Sequence, residues 1–280
     1  MALRRTAPLF LAIMVVVTAC NIGSGGDYLA RIKSAGVIKV STDPAYPPQS
    51  FLNEDTNELE GFDIDVAKEI GERLGVDVQF ETPSFDAVVA GAWSNRWDMS
   101  VGSVTITPAR EEVLDFTQSY YYTPAQMAVM EGSDITSVED LAGATICVGE
   151  STTYQFWLEG TLELPDDAGS PAPVPEGAEV VTLPTDINCP EAWRDGRDDF
   201  EGWLSSITTV DGAIADGLPV VAVGDPVFNE GLGVAFDNAV TDNDSLVAEV
   251  DRIIGEMHDD GTLTDLSAKW YDGIDYSVPQ

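Results

Sequence analysis

The segment Ser103-Val104-Thr105-Ile106-Thr107-Pro108-Ala109-Arg110 brings the Ser103 and Thr105 hydroxyls and one guanidinium close together in the chain. A planar guanidinium clamps a carboxylate through two parallel hydrogen bonds, a geometry that an ammonium cannot match. The plainer reading is a surface arginine paired with Glu111 or Asp115. A second group, Ser151-Thr152-Thr153, stands at the expected start of a helix. Free backbone N–H groups and hydroxyls at such a place form an anion site, and they also serve as an ordinary N-cap. Proton-transfer chemistry is poorly served. The single His258 lies beside Asp259-Asp260 on a late helix, and no lysine falls in a pocket motif, which leaves Glu150 as the one candidate acid or base.

The elements that must hold these groups alternate. In Gly61-Phe62-Asp63-Ile64-Asp65-Val66 a tight turn leads into a helix reaching Leu74, with Val66, Ile70 and Leu74 on one stripe. Strands are predicted over 37–41, 76–80 and 99–103, with a helix around 86–94. Residues 129–130 read as a crossing strand and 137–141 as a short helix start. The second half repeats the pattern, with strands at 145–149 and 180–183 and a helix over 152–158. Residues 165–177, rich in Pro, Ala, Gly and Asp, read as an exposed loop. A helix over 209–216 stops at Gly217, which makes Asp216 solvent-facing. A strand over 231–236 and a helix over 245–257 follow, the latter burying Val247, Val250, Ile253, Ile254 and Met257. Gly261 breaks that helix, and residues 266–271 add a last turn or two. Strand–helix alternation of this kind argues for α/β architecture with parallel sheets.

The 61–74 and 103–110 segments together resemble the first lobe of the extracellular solute-binding proteins that feed ABC importers, in the branch that carries polar amino acids. The resemblance spans about residues 28–271. It implies the type II periplasmic-binding-protein fold: two lobes, each a mostly parallel sheet flanked by helices, joined by two hinge crossings near 122–129 and 226–231. Lobe 1 would hold 28–123 and 231–280, and lobe 2 would hold 124–230.

The resemblance also implies a site. Arg110 would clamp a ligand carboxylate, with Ser103 and Thr105 as adjacent donors and Gly102 where a serine is frequent. Ser151, Thr152 and Thr153 would answer from lobe 2, with serine in place of the family's glycine. Tyr46 would stack on the ligand and Asp43 would lie near its polar end, on a loop that prolines hold in shape. Phe85 is a second candidate wall residue, and an aromatic there serves equally as core. Family members that bind α-amino acids present a lobe-2 aspartate to the ammonium, shortly after a Gly-Arg-x-Asp segment. Here Gly196-Arg197-Asp198-Asp199 leads through Phe200, Trp203 and Leu204 to Ser205-Ser206, with no aspartate in that place. The candidates for a cationic end are therefore Asp43, Glu150 and Glu230, with Ser206 on the wall; otherwise the ligand lacks an α-ammonium. The implied function is capture of a small carboxylate-bearing solute, an amino acid or a derivative, for an ABC permease. The alternative is a periplasmic dehydratase-like enzyme acting on a cyclic carboxylic acid.

The ends and the composition set the compartment. Arg4-Arg5, an apolar core over 9–17 and Val17-Thr18-Ala19-Cys20 form an export signal too short to span a bilayer. Cys20 after Thr-Ala resembles the lipobox of bacterial lipoproteins. Residues 1–19 are thus expected to be removed, Cys20 to carry lipid at the membrane, and 20–27 to act as a tether. Cys147 and Cys189 then remain as a lone pair, which in an exported protein favours a disulfide over two buried thiols. Two cysteines and one histidine make no closed metal site, and no cofactor is expected. A net charge of −36 with 13 basic residues argues against nucleic acid and against electrostatic docking on anionic lipid. Acidic surfaces serve solubility, or suit a salty habitat that screens self-repulsion, and the second reading is preferred. The expected state is an extracytoplasmic monomer.

Overall fold

The computed structural model describes residues 27–280. The expected signal over 1–19, Cys20 and tether residues 21–26 lie outside the described residues.

The first part of the chain runs α1 (Tyr28–Ala35), β1 (Val37–Ser41), β2 (Ala45–Tyr46), β3 (Ser50–Asn53), β4 (Glu58–Glu60), α2 (Phe62–Leu74), β5 (Asp77–Glu81), α3 (Phe85–Val89), β6 (Met99–Thr105) and α4 (Pro108–Glu111). β7 (Leu114–Met130) then leads to β8 (Thr145–Gly149), α5 (Thr153–Leu158), β9 (Glu179–Leu183), α6 (Asn188–Arg194), β10 (Gly202–Ser206), α7 (Ile207–Ala215) and β11 (Val220–Ala222). β12 (Phe228–Asp237), α8 (Asp244–Asp259) and α9 (Thr262–Trp270) close the chain.

The strands follow the order β5-β1-β6-β12-β7-β10-β8-β9, with β11 also on β7, and β2-β3-β4 form a small separate sheet. Pairing is parallel at β1–β5, β1–β6, β8–β9 and β8–β10, and antiparallel around β7 and β12. β7 and β12 pair from Ala125–Phe228 to Leu114–Asp237 and so belong to both halves of the molecule. The apolar cores divide on the same line. One gathers Phe62, Val66, Ile70 and Leu74 of α2 and Leu246, Val250, Ile253 and Met257 of α8 over β1, β6 and β12. On the other side, Ile146, Val148, Trp157 and Leu204 pack on one face of the sheet, and Trp193, Trp203 and Val210 on the opposite face. Each such side chain contributes about 1.5–3 kcal/mol on burial. This is the two-lobed α/β fold with two crossings.

Several boundaries differ from the sequence expectation for identifiable reasons. The helix predicted over 86–94 ends at Val89. The Asp237 carboxylate accepts the Ala92 and Trp93 N–H groups at 3.2 and 2.6 Å, and Ala92, Ser94 and Asn95 turn to positive φ. The crossing strand is far longer than residues 129–130, because both faces of β7 are covered and its pattern is nearly continuous. Pro124, inside it, removes one ladder donor at the crossing. The 165–177 loop is not free: Ala172 donates to Val227 O at 2.6 Å and accepts from Trp157 Nε1 at 2.9 Å, while Val174 packs on the core. The buried stripe of α8 starts at Leu246, fully buried, whereas Val247 is only partly buried. Cys147 of β8 and Cys189 of α6 form a disulfide with Cα atoms 5.9 Å apart.

Candidate ligand-binding site

A cavity opens between the lobes where parallel strands end, the usual place for sites in α/β sheets. Asp43 and Tyr46 follow β1, and Gly102, Ser103 and Thr105 belong to the end of β6. Gly149 ends β8 and Glu150 to Thr153 follow it, and Pro184, Thr185 and Asp186 follow β9. Together with Phe85, Arg110 and Tyr154, these residues form the lining, Ser151 excepted. About 40 Å³ is open to the centres of water molecules, room for a few waters or a compact solute group.

Arg110 is the cavity's cation. Pro108 opens its short helix, and the Thr107 side chain caps the Arg110 N–H at 3.2 Å. The guanidinium is buried, not on the surface, and forms no ion pair with Glu111 or Asp115 among the described residues. Nη1 donates to Thr105 O at 2.9 Å and Nη2 to Ser151 O, across the cleft, at 3.1 Å. Nε has no partner. The Phe85 ring centroid lies 5.4 Å from the guanidinium carbon, within cation–π range. Burial lowers the Arg110 pKa to about 10, so the group stays charged at neutral pH.

The two hydroxyls beside Arg110 are engaged differently from the expectation. Ser103, at φ +53°, donates its hydroxyl to Asp63 at 2.8 Å, and Thr105 donates to Glu230 at 2.8 Å. Each hydroxyl proton therefore points away from the cavity, and its lone pairs remain to accept from a solute. Asp63 is fully buried and also accepts from Tyr120 OH at 2.8 Å; burial pushes its pKa up to about 7.

Glu230 and Ser206 stand behind the lining, not on it. Glu230 accepts hydroxyls from Thr105, Thr153 and Tyr154, the last at 2.8 Å, so its oxygens are occupied by the protein. Its pKa is raised by burial, against the pull of those hydroxyls and Arg110. Ser206 caps α7, bonds Tyr46 OH at 3.0 Å and lies 3.1 Å from the Gln49 amide, forming part of the contact between lobes. Ser151 contributes its carbonyl to Arg110 without joining the lining. Thr152 caps the Gln155 N–H at 3.3 Å, as an N-cap should, and α5 spans only six residues, which limits its dipole. Asp43 lies on the lining, accepts the Ala45 N–H at 2.8 Å, and has its pKa raised by burial. Asp216 is exposed on the surface.

Sequence reasoning missed five lining residues, Gly149, Tyr154, Pro184, Thr185 and Asp186, of which Asp186 is the one that carries an acid. Before α6 it looks like an ordinary turn aspartate, but its carboxylate reaches back to Gly149 N–H at 2.6 Å and Ser205 Oγ at 3.1 Å. Its position just past the end of a parallel strand was the available signal.

Residues 38–273 match the profile of the bacterial extracellular solute-binding proteins, family 3. The chain belongs to that family. It is 28% identical over 273 residues to the L-cystine-binding protein TcyJ of Escherichia coli (strain K12), covering 96% of each chain. It is 27% identical over 283 residues to the L-cystine-binding protein TcyA of Bacillus subtilis (strain 168), covering 94% of this chain and 95% of that one. A solved structure of an ancestral arginine-binding protein bound to arginine superposes with TM-score 0.72 at 27% identity, over 84% of this chain and 98% of the other. The ancestral amino acid-binding protein AncCDT-1, described as a precursor of cyclohexadienyl dehydratase, gives 0.73 at 26% identity, over 87% and 99%. Family 3 membership makes this a solute-binding protein of the amino-acid and cystine ABC transporter class, with the type II fold.

Proposed function

We propose that the chain captures an amino acid or amino-acid derivative between its lobes and delivers it to an ABC permease, without catalysing a reaction. The observation that carries this reading is Arg110: a buried guanidinium with one unpartnered N–H, over the Phe85 ring, on the wall of a cavity shared by both lobes. A solute carboxylate supplies the missing acceptor and adds a charge-assisted pair. Lobe 1 comprises 28–123 and 231–280 and lobe 2 comprises 124–230, and closure brings Ser151 onto Arg110. Closure needs only a solute that binds the closed form better than the open one. Cys20 anchors the exported monomer to the membrane by lipid, and residues 21–27 let it reach the permease.

An enzyme on the same scaffold is the second reading. It is favoured by Glu150 and Asp186, two carboxyls on the lining that could move a proton.

The deciding experiment is a thermal-shift screen of the exported chain against amino acids, polyamines, opine-like conjugates and cyclic carboxylates, with Arg110→Ala as control. A true ligand at a thousandfold excess over Kd stabilises by about 4 kcal/mol. We expect a large shift with one amino-acid class that Arg110→Ala abolishes. Shifts indifferent to Arg110, or turnover of a cyclic carboxylate followed by NMR, would overturn the reading.

A further inference from the structure

Asp186 is 4% exposed yet lies on the cavity lining. A carboxylate offers roughly four acceptor positions, and the two neutral donors from Gly149 and Ser205 leave about half of them open. Among the described residues it forms no ion pair. The groups that face it carry its own sign or are neutral. They are Glu230 of β12, Asp43 after β1, and the phenols of Tyr46 on β2 and Tyr154 on α5. Glu150 shares the lining, and Arg110 is the cavity's one cation among the described residues. A buried anion in such company is costly unless a cation reaches it.

We propose that solute capture is proton-linked through Asp186: a cationic group of the solute, the ammonium for an amino acid, takes its open acceptor positions and displaces its proton to solvent. The neutral acid loses its proton to bulk water, the solute keeps its own, and an ion pair replaces the acid. The inference rests on the amino-acid reading above. Its geometry is fixed by Gly149, where a Cβ would lie 2.4 Å from Asp186 Oδ1, so only glycine allows this approach. Burial, with Glu230 and Asp43 adding to it, pushes Asp186 up to about 7, against the Gly149 and Ser205 bonds. Near neutral pH about half of the free molecules therefore hold a proton here that a cation can expel, and by pH 6 most do. Affinity weakens about tenfold per pH unit below that value and levels off above it.

Isothermal calorimetry tests this with the twenty protein L-amino acids and L-cystine as probes, carrying the tightest binder through pH 5–8.5 in buffers of different ionisation enthalpy. We expect about one proton released per solute near pH 6 and little at pH 8.5. Asp186→Asn should weaken binding at least about 100-fold at pH 8 and less than about threefold at pH 5, where the native carboxyl is already protonated. A purely structural role gives the same loss at every pH, and that outcome overturns the proposal. Binding that needs Arg110 but releases no proton also overturns it, while leaving amino-acid capture intact. If no probe binds the native protein, both fall. The proton count is read on the native chain, so a failure of the variant to fold would not shield the proposal.

Discussion

At the scale of single residues, this protein buries acids, side chains that are almost never fully buried unless paired. Asp63, Asp186 and Glu230 are all nearly inaccessible, and burial raises the pKa of each. The sign of the consequence follows from linkage. A carboxyl raised on folding stabilises fully below its unfolded value of about 4, and that contribution is lost as pH climbs through its folded value. Asp63 and Asp186 both reach about 7, so solute-free stability should fall between about pH 4 and 7, by an amount on the order of a few kcal/mol. Urea denaturation across that range checks it. Asp63→Asn should flatten the fall without touching the part due to Asp186, and an unchanged slope would show that Asp63 does not titrate there. Arg110 could be singled out in the sequence because its neighbours form a contiguous segment. Asp186 was harder to single out: its place past a strand end hints at a cavity, but its partner Gly149 lies 37 residues away.

At the scale of elements, the tight turn before α2 is the firmest sequence signal and the most constrained backbone. Gly61 has φ 129° and ψ 175°, a region essentially closed to other residues, and a Cβ there would lie 2.2 Å from Gln49 O. Gly61→Ala should destabilise by about 3 kcal/mol or more, measured by urea unfolding. A loss under about 1 kcal/mol would mean that the Gln49 backbone yields easily. Amphipathic helices were legible because one face meets water: α2 begins and ends as its periodicity predicts. β7 and α3 were not. β7 is covered on both faces, and its proline argues locally against a strand; α3 is stopped by Asp237, a carboxylate from the far end of the chain.

At the scale of the whole molecule, the division into lobes came from resemblance and not from periodicity, since only tertiary contacts sort the apolar residues into separate cores. Two strands carry the connection, and the pairing of Thr123 with Glu230 sits where the cores part. Glu230 is thus placed to bond Thr105 on one side and Thr153 and Tyr154 on the other. The charge of −36 belongs to this scale as well. It adds self-repulsion that salt screens, so stability should depend on ionic strength independently of the cavity.

The Cys147–Cys189 bridge encloses every lining residue that follows β7, from Gly149 to Asp186. Closing a loop of 42 residues contributes about 4 kcal/mol on the chain-entropy account. A Cys147→Ser/Cys189→Ser chain should lose about that much in urea unfolding and should bind solute more weakly, whereas unchanged affinity would show that the wall stands without its fastening. On that expectation the bridge acts as a certificate of maturation. A chain still in a reducing cytoplasm would carry an unfastened wall and hold cytoplasmic metabolites poorly, and competence to trap solute would arrive only with oxidation, on the side of the membrane where the cargo is found.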